Sequence, residues 1–447
     1  ETIGNLNIPA VLEYRVKTTD TLTSVNTSAT TGAVTASIDG TKATYTGGSG
    51  ADTVTLITGT ALTKAINLGG GNDSLKLVAS TTGSTAAVEG GDGVDTLSMT
   101  TATAAALDDT VQTFYTGFER LTINNAAAST TIDLANLGFT NYVTTTGSSG
   151  TLTLNNLANN GTVVLTTNPT TGYTVGIKDA STGTADVLNV VLSKSTDLAA
   201  GVLTAANVET VNITSTDSAT PFTAAHSMTL TANKATTVTA GGNAKLSLTM
   251  TGSTDVTSID GSAMTAALTV TSLNTTTATT IKGGSAADVL QAASGTTADI
   301  LIGGGGDDTL TTNSGLTTLT GGTGNDVFVI SSAQANPNSY STITDFSAGD
   351  LIKLGDAANF KTVKVTLGDT AVFQDYVNAA LVAIDTTTLT TSGAAWFQFA
   401  GNTYVVIDDD ATDSTTFIGG EDLIVKISGS VDLSTASFNA TQFTIGL

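Results

Sequence analysis

The chain of 447 residues has no cysteine, four prolines, one histidine and one tryptophan. Without cysteine there are no disulfides, no thiolate metal sites and no cysteine nucleophile. The single histidine, His226, cannot supply an HExxH zinc site, and the sequence holds no Gly-x-Ser-x-Gly nucleophile elbow. A two-carboxylate glycosidase site stays open, since acids meet only in a fold, yet nothing singles out a pair. Positive charge is scarce: 15 Lys and Arg stand against 38 Asp and Glu, for a net charge of −23. Such a chain repels nucleic acid and anionic lipid, and metal cations are its natural counter-charge. No segment approaches the roughly 20 apolar residues of a membrane helix, so no membrane insertion is expected, and no basic, apolar signal peptide opens the sequence. The chain reads as soluble, and from its start at Glu1 rather than Met a fragment or a processed product is expected.

What remains is small, polar and β-prone. Charged residues are 12% of the chain and hydrophobic ones 40%, which is not the profile of a disordered acidic tail. Thr and Val favour strands, Gly and Asn favour turns, and an all-β fold is expected, with room at this length for two to four domains.

One phrase recurs. Gly303-Gly304-Gly305-Gly306-Asp307-Asp308-Thr309-Leu310 is answered by Gly321-Gly322-Thr323-Gly324-Asn325-Asp326-Val327-Phe328, and the same pattern stands at 47–54 and 90–97. Two more copies change one glycine: Leu68 opens the turn that ends at Asp73, and Ala286 takes the fourth position of the turn that ends at Asp288. The aspartates fall at 52, 73 and 95 in one block and at 288, 308 and 326 in another, a spacing near 20 residues that marks a solenoid. Six residues, GGxGxD, make a turn in which glycine takes backbone angles closed to other residues. The next three make a short strand whose middle side chain points inward. Two such half-coils give a coil, and coils stack at the roughly 4.8 Å strand spacing. Carboxylates piled that closely repel unless a cation lies between them, and an all-oxygen donor set specifies a hard ion, calcium. The intervening half-coil 312–320 keeps its glycine and leucine but lacks the aspartate; Asp299 is an exception on that side.

Residues 101–282 carry no glycine motif but many short strands, expected as a β-helix or a sandwich. Gly117-Phe118-Glu119-Arg120-Leu121-Thr122-Ile123 and Asn207-Val208-Glu209-Thr210-Val211-Asn212-Ile213 rhyme there, each setting an acid before an alternating strand. After the second block, apolar spacing predicts a helix over about 370–384, capped by Asp369 or Thr370. Strands are expected around Trp396 and Tyr404, with Trp396 in the core. The organisation expected is an N-terminal β segment (1–46), a first glycine-turn block (47–100), the strand-rich domain (101–282), a second block (283–345) and a C-terminal cap (346–447).

At these motifs the chain resembles the RTX (repeats-in-toxin) proteins of the calcium-binding β-roll class. The phrase Ile343-Thr344-Asp345-Phe346-Ser347-Ala348-Gly349-Asp350 and the later WFQFAGNTYVVIDDD resemble the region that caps such β-rolls and carries a type I secretion signal. The two blocks, the Thr/Ala/Gly-rich strands and this ending together are similar to the lattice-forming part of Gram-negative S-layer proteins of the Caulobacter type. The resemblance implies calcium-ligand carboxylates at Asp52, Asp73, Asp95, Asp288, Asp308 and Asp326. It implies carbonyl ligands from the turns, at Gly47, Ser49, Gly69, Gly71, Gly90, Asp92, Gly283, Ser285, Gly303, Gly305, Gly321 and Thr323. Asp345 and Asp350 match the terminating motif and would close the last site, with Asp299 in addition.

A flexible linker would not hold aspartate at position six and an apolar side chain at position eight, and a nucleotide-binding glycine loop would not recur without a helix. Asp408, Asp409, Asp410 and Asp413 read first as a solvated acidic turn, with an extra calcium or a lattice contact as the rival. His226 reads as an ordinary polar loop residue, and Glu119 and Glu209 as strand-end hydrogen-bonding groups. The function expected is a secreted, non-enzymatic structural protein on the bacterial cell surface, folding on calcium after type I export and assembling with itself into an S-layer lattice. A missing N-terminal region would anchor it, with cell-surface polysaccharide as its partner. The alternatives are an RTX adhesin, the secretion and folding module of an extracellular hydrolase, or a polysaccharide-active β-helix enzyme.

Overall fold

Thr, Val and Ile alternate with small polar residues over short spans, and the strands they form pair in parallel through most of the chain. A computed structural model describes residues 12–15, 22–57, 61–78, 83–107, 113–124, 129–138, 141–147, 149–295, 297–312, 316–330, 336–355, 357, 359–384, 392–408, 415–442 and 444–447. Two compact units divide the chain, 1–219 with 226–232, and 220–225 with 233–447. Each is built as a parallel β-solenoid, so the fold is all-β as its composition implies.

In the first unit, one sheet runs from Leu12–Arg15 through Val34–Ile38, Thr53–Leu56, Ser74–Lys76, Thr96–Thr100 and Arg120–Asn124. It continues through Tyr142–Thr145, Gly161–Leu165, Val187–Ser193 and Thr210–Thr216, every pair parallel. The register places Val54 beside Leu75, Leu75 beside Leu97 and Leu97 beside Leu121, all fully buried. Like side chains thus stack coil over coil, each buried leucine contributing about 2 kcal/mol. Across the coils lie the short strands Ser24–Asn26 to Tyr115–Thr116 and then the longer Thr130–Asp133, Leu152–Leu157, Gly172–Ile177 and Leu198–Thr204. The pairing within 101–219 is therefore that of a β-helix rather than a sandwich. An unexpected six-residue helix, Thr101–Ala106, follows the first block, its first turn held by Thr103 N–H donating to Thr100 Oγ1 at 3.2 Å.

In the second unit, Ser258–Met264, Thr280–Lys282, Ile300–Gly305, Thr318–Thr323 and Ser341–Ile343 stack in parallel on one face. Lys245–Met250, Leu268–Thr271, Val289–Gln291, Thr309–Thr311, Val327–Ile330 and Leu351–Leu354 stack on the other. The pattern then becomes mixed. Leu351–Leu354 takes Thr444–Gly446 antiparallel, while Ser341–Ile343 takes Leu423–Ile427 as a last parallel partner, itself the edge of an antiparallel sheet with Asn402–Asp408 and Gly393–Phe399. This covers the open strand edges that a solenoid end would otherwise expose. The helix Phe373–Ile384 packs Val377, Ala380, Leu381 and Ile384 against Phe397, Tyr404 and Val406. It starts three residues later than its apolar spacing predicts. Asp375 Oδ2 accepts the Val372 N–H at 2.9 Å there, in place of a cap from Asp369 or Thr370. Trp396 is core, as expected, and its Nε1 donates to the Thr362 carbonyl at 3.0 Å.

Candidate metal centre

The glycine turns answer to two different demands. At the second and fourth positions the backbone is left-handed in most copies: Gly304 and Gly306 have φ of 111° and 99°, Gly322 and Gly324 of 103° and 137°. The turn with Ala286 at its fourth position does not take a positive φ there, so its alanine fits without strain. The first glycine is needed for room instead. A Cβ on Gly283 would run into Asp288 Oδ2 and the Gly303 carbonyl, and one on Gly303 into Asp308 Oδ2 and the Gly321 carbonyl. Gly47, Gly90 and Gly321 lie likewise against Asp52, Asp95 and Asp326. Each bare Cα thus opens a gap lined by the carboxylate and, at 47, 90, 283 and 303, by the next coil's carbonyl.

The aspartates form two ladders. Each sends Oδ1 to the backbone N–H one coil earlier: Val34 N donates to Asp52 at 2.9 Å, Asp52 N to Asp73 at 2.6 Å and Asp73 N to Asp95 at 2.7 Å. Glu119 ends this series, its Oε2 accepting Asp95 N at 2.8 Å. In the second unit Leu268 N donates to Asp288 at 2.6 Å, Asp288 N to Asp308 at 2.7 Å, Asp308 N to Asp326 at 2.9 Å and Asp326 N to Asp350 at 2.9 Å. The N–H that precedes each strand finds its acceptor here, as a buried backbone donor must.

Their second oxygens fare unevenly. Asp52 Oδ2 accepts from the Tyr45 hydroxyl at 2.9 Å, Asp288 Oδ2 from Gly284 N at 2.6 Å, and Asp350 Oδ2 from Ser347 N at 2.7 Å. Asp73, Asp95 and Asp308 each keep a buried Oδ2 with no protein partner. All seven ladder aspartates are at most 2% exposed. Burial, reinforced by the charges of Asp52 and Asp95, pushes the Asp73 carboxyl up to about 7. Burial also pushes Asp308 up to about 7, with help from Asp288, Asp326 and Asp307. Burial raises Asp52, Asp95, Asp288 and Asp326 as well. Near neutral pH such a ladder is relieved by a proton or by a cation.

The donor chemistry fits a hard divalent cation: carboxylate oxygens without partners, backbone carbonyls beside them, and neither sulfur nor imidazole. Among the described residues no three His, Cys, Asp or Glu side chains converge. A cation held here would draw most of its oxygens from the backbone and water. Of the third-position carbonyls expected as ligands, Thr323 O already accepts Gly306 N and Asp92 O accepts Gly71 N, both at 2.8 Å. Gly69 O likewise accepts Asp92 N at 2.9 Å, so these groups join turn to turn. Ser49, Ser285 and Gly305 lie at the same third position, while the Asp92 side chain is exposed.

The remaining expected ligands separate. Asp345 sits on the last glycine turn, accepting Gly321 N at 3.0 Å and Gly322 N at 2.9 Å. Phe346 beside it packs edge-on against Phe328 at 6.2 Å. Asp299 stands apart from the ladder and is satisfied by Thr279 N, Ala293 N and the Thr297 hydroxyl. Asp408 is buried at a strand end rather than solvated; Asp409, Asp410 and Asp413 lie outside the described residues. His226 also differs from expectation. It is buried on the strand Ala225–Thr231, its Nδ1 3.0 Å from Ser215 Oγ and its Nε2 3.2 Å from the Lys194 carbonyl. Sequence reasoning missed Asp186, whose neighbour Glu209 accepts its N–H at 2.8 Å; the one signal was the Asp-Val-Leu phrase shared with 288–290. Neither the models of known protein families nor the curated proteins gave a match to this chain.

Proposed function

We propose that this chain is a calcium-dependent structural protein of RTX type, exported unfolded and assembled with copies of itself into a surface lattice of the S-layer kind. The observation that carries the reading is the pair of buried aspartate ladders, with oxygens left over, on turns whose glycines make room for them. A parallel β-solenoid is compatible with an RTX β-roll. The supporting physics is metal-coupled folding. Where calcium is scarce, stacked carboxylates repel and glycine turns carry too much conformational entropy to order, so the chain stays unfolded and exportable through a type I machinery. Outside the cell, at the millimolar calcium that extracellular modules use, only the folded ladders hold the ion, and they are stabilised by mass action. A bound cation supplies charge neutralisation and oxygen coordination between coils. The coils so fixed hold their own strands rigidly, which a periodic array requires. The C-terminal cap, 346–447, closes the last coil and is the proposed secretion-signal region, and the chain itself has no catalytic role in this reading.

Size-exclusion chromatography and negative-stain microscopy across a calcium titration test the proposal. Ordered sheets that appear with calcium and vanish with chelator are expected. Sheets that persist undiminished in excess chelator would count against it. Folding on calcium without arrays would favour the adhesin or hydrolase-module reading, and turnover of uronate polymers a β-helix enzyme.

A further inference from the structure

One carboxylate of the first unit lies outside the glycine motifs and has no place in the ladders. Asp186 immediately precedes the strand Val187–Ser193, as the ladder aspartates precede theirs. Its backbone contacts and its glutamate partner repeat those of Asp95. Asp95 O accepts Glu119 N at 3.1 Å and Arg120 N at 3.0 Å; Asp186 O accepts Glu209 N at 3.1 Å and Thr210 N at 3.0 Å. Asp95 N donates to Glu119 Oε2 and Asp186 N to Glu209 Oε2, each at 2.8 Å. In both, Oδ2 is buried without a protein partner, although Asp186 is only 4% exposed. A buried carboxylate oxygen left bare is costly, and native folds seldom leave one without a purpose. The bare oxygen turns toward Gly183, where a side-chain Cβ would collide with it. The turn around it, residues 181–185, is exposed throughout.

We infer that Asp186 and Glu209 form a separate cation site in the strand-rich region, one that takes a single hard divalent ion. The Asp186 carboxylate is its charged donor, and backbone carbonyls of the exposed turn and water complete an all-oxygen shell. Glu209 fixes the aspartate through its backbone N–H and adds negative charge. The comparison with Asp95 rests on the ladder reading, whereas the orphaned oxygen of Asp186 stands on its own.

The full chain, stripped with chelator and returned to calcium, provides the test, in the wild type, Asp186→Asn and Asp308→Asn. Native mass spectrometry counts bound ions, and hydrogen–deuterium exchange reads the turn itself. Asp186→Asn is expected to bind one calcium fewer. Amides of 182–187 should slow on adding calcium in the wild type and in Asp308→Asn but not in Asp186→Asn, while 303–326 responds in the wild type and in Asp186→Asn. Glu209→Gln keeps an acceptor for Asp186 N and serves if Asp186→Asn fails to fold; calcium protection of 182–187 should then weaken. Equal ion counts with no calcium response at 182–187 overturn the inference and leave the ladders untouched. A response at 182–187 with none at 303–326 upholds this site and defeats the ladder reading.

Discussion

Asp308→Asn tests the electrostatics of the ladder in one substitution. The amide keeps an oxygen for the Asp288 N–H, and its NH2 takes the place of Oδ2 in the gap that the Gly321 carbonyl also lines. The charge is lost while the shape stays. In the wild type without cation, the folded carboxyl has been pushed up to about 7 from 3.8. Between those values the folded chain holds a proton that the unfolded chain has released, so stability falls as pH rises through that window and levels off above it. The gap between those two values, at about 1.4 kcal/mol per tenfold change in proton affinity, sets a ceiling of about 4 kcal/mol for this group. Asparagine carries no proton to release over this range. Cation-free Asp308→Asn should therefore match the wild type near about pH 4 and exceed its stability, by as much as a few kcal/mol, near about pH 8. With calcium the order reverses, because only the wild type gains from holding the ion, and it gains more as competing protons leave. Urea denaturation followed by circular dichroism, in chelator and in calcium across this pH range, reads both effects. If cation-free Asp308→Asn proves less stable than the wild type at the alkaline end, the buried-charge reasoning is wrong.

Gly306→Ala should cost roughly 2 kcal/mol or more, since φ of 99° is closed to alanine and the Cβ would meet Ala286 and Ala287 backbone at 2.6 Å. Ala286→Gly at the equivalent position should change stability by under about 1 kcal/mol; thermal melts of the two compare them directly. Phe328→Ala removes a fully buried ring stacked in register between Leu310 and Ile352, and a loss of about 3–5 kcal/mol is expected by denaturant titration. His226 titrates in the opposite sense to the ladder. Burial holds its imidazole below 6.5, so its stability contribution is present above that pH and drains away as pH falls through it. His226→Gln should accordingly gain on the wild type between about pH 7 and 5, and parallel pH curves would refute the assignment.

The parts of this molecule that were legible in the sequence are those where one residue type has one physical use. Glycine at the second and fourth turn positions announces left-handed backbone, and an apolar residue at the eighth announces the stacked core of Leu75, Leu97, Leu310 and Phe328. The first glycine gave no clue to its real task, because room for an aspartate of the same turn is a property of packing, not of φ. The direction of the carboxylates was hidden for the same reason. Stacked charges were foreseen, but not that one oxygen of each would reach back to a backbone N–H and leave only the other over. Asp186 escaped because its turn, Ser-Thr-Gly-Thr-Ala-Asp, keeps a single glycine and has none at the first, second or fourth position. His226 looked like loop because Pro221 and Ser227 lie near it. Its alternation with Met228 and Leu230, all three buried, was the signal that could have placed it on a strand.

Stacked coils need side-chain ladders to satisfy their turns, and the two kinds found here differ in whether they are complete. Asn212 Nδ2 donates to Asn189 Oδ1 at 2.9 Å, and Asn189 Nδ2 donates to the Asn160 carbonyl at 2.8 Å. An amide donates and accepts at once, so such a column closes on itself without net charge. An ionised carboxylate only accepts, so the aspartate columns end in bare buried oxygens and repelling neighbours. It follows that loss of cation should not melt the first unit uniformly. In chelator, amides of Ser74–Lys76 should exchange freely, while those of 188–193 and Thr210–Thr216, on the amide-laddered coils and beyond the turn that ends at Asp186, should keep most of their protection. Equal loss of protection at both places in hydrogen exchange would mean that the carboxylate coils are not the weak ones, and the claim that they need a counter-charge would lose its basis.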